Sequence, residues 1–69
     1  MSQNEKVLDY IKANGSIDPL RAFTDLGILR LGARIWELKH EAGIDIKTEM
    51  RYKYDRNGKI EKKWAEYWI

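Results

Sequence analysis

Apolar positions along the chain change their period once, after Gly43. Before that point the spacing is helical. Val7, Leu8 and Ile11 follow a Ser2-x-x-Glu5 capping box and stop short of Gly15, which predicts a first helix of about three turns. Asp18 followed by Pro19 starts a second helix, with a capping carboxylate and then proline where a free N–H would have no partner. Leu20 and Phe23, with Leu26 or Ala22, form its expected buried face, and Gly27 ends it after barely two turns. Leu31, Ile35, Leu38 and Ala42 fall within about 40° of one another on a third helix closed by Gly43. The same wheel turns Arg30, Ala33, Trp36, Glu37 and His40 outward, with Arg34 and Lys39 on the flanks.

Beyond Gly43 the period is two. Ile44, Ile46, Thr48, Met50, Tyr52 and Tyr54 alternate with polar neighbours, predicting a strand with one apolar face. Asp55-Arg56-Asn57-Gly58 then supplies a hairpin turn, and a second strand runs from about Lys59 to Ile69. Its faces are ambiguous: Ala65, Tyr67 and Ile69 share one side, while Ile60, Lys62, Trp64, Glu66 and Trp68 share the other. Ile17, a lone apolar residue between Gly15 and Asp18, is placed to add one edge pairing to this sheet.

Composition narrows the classes. A chain of 69 residues without cysteine is expected to form one domain over residues 1–69, with a thin core and neither disulfides nor thiolate metal sites to staple it. No apolar run reaches the length of a signal peptide or membrane span, so a soluble, cytoplasmic protein with no membrane partner is expected. The net charge of +2 hides an asymmetry. Through Ile46 there are six basic and seven acidic residues; from Lys47 onward there are seven basic and four acidic. With one histidine, no Gly-rich phosphate loop and no convincing carboxylate pair, the chain is not expected to be an enzyme or to hold a metal or cofactor.

Two helical patterns separated only by Gly27-Ile28 must meet at a sharp angle, the second bracing the third so that the outer face of the third is free to enter a major groove about 12 Å wide. Followed by a hairpin with a basic tip, this order resembles an α+β winged helix-turn-helix domain along essentially the whole chain: three helices, a C-terminal hairpin wing and a short third strand near Ile17. More narrowly, Asn4-Glu-Lys-Val-Leu8, Gly15-Ser-Ile-Asp-Pro-Leu20, Leu26-Gly-Ile28, Leu31-Gly-Ala-Arg-Ile-Trp-Glu-Leu-Lys39, Gly43-Ile-Asp-Ile46 and Trp64-Ala-Glu-Tyr-Trp-Ile69 resemble a small winged helix-turn-helix family common in phage and prophage proteins. The resemblance implies binding of double-stranded DNA, as in a small phage-type transcriptional regulator or an excisionase-like architectural factor.

The candidate DNA contacts are Arg30, Ala33, Arg34, Glu37 and His40 on the third helix and Lys53, Arg56 and Lys59 around the hairpin tip. Each has a structural alternative. Arg34 could serve only to bridge Glu37 or Asp25, Trp36 could stack on a sugar or cover the sheet, and basic residues on exposed strands also discourage edge pairing. Trp64 and Trp68 share a strand face that either lies under the first helix or forms an aromatic patch. In the second case the expected additional partner is a second copy of the chain, giving a homodimer through the C-terminal strand. The competing functional reading is a protein-interaction module that uses the aromatic strand face.

Overall fold

The computed structural model describes residues 2–69. Helix α1 spans Gln3–Asn14, with the Ser2 side chain accepting the Glu5 N–H at 3.1 Å. Helix α2 spans Pro19–Leu26, where Asp18 accepts the Arg21 N–H at 2.8 Å and proline occupies the first turn. Gly27 then takes φ +69°, a left-handed conformation open to glycine at little cost, and its N–H donates back to Phe23. Helix α3 spans Leu31–His40, and strands β1 (Lys47–Tyr54) and β2 (Ile60–Trp68) follow.

The core collects one to three side chains from each piece of the helical half: Val7 and Ile11 from α1, Ala22 from α2, Leu31, Ile35 and Leu38 from α3, and Ile17, Ile28 and Ile46 from the connections. Tyr10, Leu26, Ile44 and Tyr67 pack around them. Burying each of the larger aliphatics stabilises by about 1.5–3 kcal/mol relative to exposure.

The strands form an antiparallel pair in which Lys47 faces Trp68, Met50 faces Ala65 and Lys53 faces Lys62. Ile17 extends the sheet as expected. It bridges the outer edge of β2 at Tyr67 through reciprocal N–H···O bonds of 2.9 Å. The register sorts the hairpin into two faces. Thr48, Met50, Tyr52, Lys63, Ala65 and Tyr67 lie on the face that meets the core, and Lys47, Glu49, Arg51, Lys53, Lys62, Trp64, Glu66 and Trp68 lie on the other.

Several expectations change. The strand starts at Lys47, so Ile44 and Ile46 reach the core from the connecting segment. The apolar face beyond Thr48 stays exposed because an eight-residue strand is about 26 Å long and a ten-residue helix only about 15 Å. The hairpin outgrows what could cover it. Its length fits the elongated molecular dimensions of 43 × 22 × 20 Å. On α2, Ala22 makes the buried contact with Leu26 beside it, while Leu20 and Phe23 are 70% and 54% exposed. Ala42 lies exposed past the end of α3, and Ile69 is half exposed. Trp64 and Trp68 are half-buried and outside the core; Tyr67 is the tail aromatic that packs against it.

The hairpin tip departs from a two-residue Asn-Gly turn. Asn57 keeps negative φ and only Gly58 is left-handed, at +79°, so the loop is a three-residue connection at 56–58. Asp55 organises it: one carboxylate oxygen accepts the N–H groups of Asn57 and Lys59 at 2.8 and 2.9 Å. The register shifts next to the tip, where Tyr54 pairs with Ile60 and Glu61 is left as the extra residue.

Candidate nucleic-acid interface

Leu31, Ile35 and Leu38 fix α3 by one face, which determines what the other face shows. Trp36 is 55% exposed, His40 is exposed, and Ala33 and Glu37 are half-buried. Trp36 and His40, one turn apart, lie with their rings 4.7 Å centroid to centroid at 35°. Neither expected role of Trp36, on a sugar or over the sheet, includes this partner, which the i, i+4 spacing could have signalled.

The two candidate arginines differ. Arg34 is half-buried and bridged to Glu37, and its guanidinium also reaches the Gln3 side-chain carbonyl of α1 at 3.5 Å. Its Nε is sealed from solvent without a hydrogen-bond partner among the described residues. Of the two carboxylates considered as partners for Arg34, Glu37 takes the role; Asp25 instead accepts the Tyr10 hydroxyl at 2.6 Å. That hydrogen bond, with Asp25 charge nearby, holds the Tyr10 phenol above its usual range. Arg30 is exposed and stands at the N-cap of α3, with φ −117° and ψ 63°, so it precedes the helix where the wheel had placed it on the first turn. Among the described residues no carboxylate lies within ion-pair distance of its guanidinium.

Two contacts set α3 against its neighbours. Gln3 approaches one flank through Arg34, and on the other flank Lys39 Nζ donates to Thr48 Oγ1 at 3.4 Å. The second contact joins the end of α3 to the base of the hairpin. Nothing in the spacing of Gln3 or Thr48 signalled either role. From Thr48 the strand carries onward to Lys53, Arg56 and Lys59, all exposed and all free of carboxylate partners among the described residues. The candidate contacts thus fall into two groups, Arg30 to His40 on α3 and Lys53 to Lys59 at the tip, joined through β1.

The opposite sheet face is tied to α2. Arg21 pairs with Asp18 at 2.9 Å and Glu66 at 3.4 Å, and Arg51 pairs with the same Glu66 at 3.1 Å. Among the described residues no cluster of His, Asp and Glu could hold a metal ion, and no helix is long and apolar enough to cross a membrane.

Two short helices meeting at a glycine turn, an exposed third-helix face and a projecting basic hairpin define a winged helix-turn-helix protein, a DNA-binding class. The profile of the winged helix-turn-helix domain matches residues 2–69, and the chain belongs to that family. Comparison with curated proteins and with solved structures gave no match.

Proposed function

We propose that this protein binds double-stranded DNA with α3 in the major groove and the hairpin along the backbone, as a small transcriptional regulator or excisionase-like architectural factor of phage type. The observation that carries the reading is that, among the described residues, the exposed cations next to α3 and at the hairpin tip, Arg30 and Lys53, Arg56 and Lys59, have no carboxylate partner. Phosphates would supply the missing counter-charge. Trp36, Ala33 and His40 complete the outward face of α3, and Glu37 is placed to restrain Arg34 or to accept from a cytosine amine.

Selection of bound duplexes from random DNA, followed by titration across salt, tests this. Enrichment of a defined site whose affinity falls steeply with salt is the expected result. No enrichment together with salt-independent binding would refute it. Self-association through the end of β2 extends the proposal, because Trp68 and Ile69 leave apolar surface there. Sedimentation with and without the selected duplex reads the stoichiometry, and one protomer per site in both conditions would remove this extension.

A further inference from the structure

Helix α2 carries its largest apolar side chains outward. Leu20 and Phe23 are one turn apart and both mostly exposed, while the smaller Ala22 makes the fully buried contact. Single exposed apolar residues are ordinary, but a contiguous ridge rimmed by charge marks a docking surface. The ridge continues onto the sheet. Pro19, Leu20 and half-buried Trp64 line a groove of about 590 Å³, and Lys53, Lys62 and Lys63 stand around it.

The groove has an apolar floor and an unbalanced charge. Its one carboxylate, Asp18, is already engaged by the Arg21 N–H and guanidinium at 2.8 and 2.9 Å. None of the three lysines has a carboxylate within ion-pair distance among the described residues. Backbone groups are available too. Ile17 pairs with β2 only at Tyr67, so among the described residues the outer edge of β2 toward Ile60 has no strand beside it. An edge that already accepts one extended residue is suited to accept more.

The location separates this surface from α3. Arg21 and Glu66 join the start of α2 to the sheet face bearing Trp64, whereas Lys39 and Thr48 join α3 to the opposite face.

We propose that the groove and the Leu20/Phe23 ridge dock an extended acidic segment of another protein, with apolar side chains seated between Trp64 and Leu20 and a carboxylate on Lys62. Charge selects this occupant. A two-fold-related copy packed through this hairpin would bring together two segments that each carry seven basic and four acidic residues, and like-charge juxtaposition opposes association. A DNA backbone would satisfy the lysines but leave the apolar ridge uncovered. Only simultaneous occupancy with DNA rests on the function proposed above; docking is measured on the free protein, so the two can fail separately.

The test is selection of random twelve-residue peptides displayed against the full chain, with a Leu20→Ser/Phe23→Ser variant as counter-target. The expected binders alternate Asp or Glu with Leu, Phe or Trp. A synthetic peptide of the selected sequence should bind at least about tenfold more weakly to that variant and to Lys62→Glu, and its amide shifts should map to β2 and α2. Both variants should keep the wild-type circular dichroism, and Leu20→Ser/Phe23→Ser should also keep the duplex affinity. Any of four results would overturn the proposal: no peptide that separates wild type from the counter-target, selected peptides without acidic residues, shifts confined to α3, or a wild-type dimer dissociated by Leu20→Ser/Phe23→Ser. If the lysine reversal weakens duplex binding about tenfold and leaves the peptide unaffected, the surface belongs to DNA and the proposal also falls.

Discussion

Arg34 and Glu37 hold each other on the outer flank of α3, whereas Arg30, four residues earlier, has no carboxylate partner among the described residues. The pair sets a cation and an anion side by side on the surface proposed to meet DNA. Replacing Glu37 by Gln removes the anion and frees Arg34. Affinity for all duplexes should rise, and the slope of log K against log salt should steepen by roughly one unit as one more phosphate is neutralised. Loss of affinity confined to sites with one particular base pair would instead make Glu37 a base reader.

Arg30 stands ahead of the helix, with no side-chain hydrogen bond from this residue capping α3. Arg30→Ala should cost about 1–3 kcal/mol on the selected site and relax the choice at one base pair. Competition binding against single-position variants of the site measures both effects. Equal loss on every sequence would mark a phosphate contact.

At the tip, Arg56 sits on, and Lys53 and Lys59 flank, a loop whose shape is set by Asp55 and Gly58, so the basic side chains can be removed without disturbing the turn. The triple alanine variant should keep its circular dichroism, weaken all duplexes together and flatten the salt slope by about 0.9 per lost phosphate contact. A slope equal to that of wild type would place the tip off the DNA.

Two apolar residues three apart should respond in opposite ways to truncation. Ile17 is fully buried at a backbone bridge that pins β2 to the helical half, and Ile17→Ala should cost about 2–5 kcal/mol in urea unfolding. Leu20→Ala should change stability by no more than about 0.5 kcal/mol, because its side chain makes little of the core.

The Tyr10 hydroxyl donates to Asp25 across α1 and α2, and its acidity is weakened by that bond. A phenol whose folded pKa is raised stabilises the fold fully below its unfolded value near 10 and loses that contribution as pH climbs through the folded value. Tyr10→Phe should therefore lower Tm at pH 7 to 9, and the gap from wild type should close above pH 10. A gap constant through that range would show that the hydrogen bond does not contribute.

The parts legible in the sequence were those decided locally. Ser2 with Glu5 and Asp18 with Pro19 mark helix starts by hydrogen bonds formed within four residues, and Leu31, Ile35 and Leu38 report the buried side of α3 by spacing alone. The misplaced features depended on partners far along the chain. An amphipathic pattern on α2 does not say which side meets the core, and Ala22 fits there because the space left is small. Alternation on β1 gave the strand but not the length of helix available to cover it. Arg30 followed the helical wheel only because the backbone break before Leu31 leaves no mark in residue type.

The uncovered length of the hairpin also sets an order of motion. Its distal rungs, around Tyr54 and Ile60, are held by ladder hydrogen bonds with exposed side chains and by no fully buried residue, whereas the rungs near Tyr67 are clamped by Ile17. A two-stranded ribbon alone is marginally stable in water. Opening should therefore begin at the tip and stop at the Ile17 bridge, well below the free energy of global unfolding, so that amide protons exchange fastest in the basic arm. The arm proposed to lie along DNA is then also the part of the chain that can be reshaped at least expense to the fold.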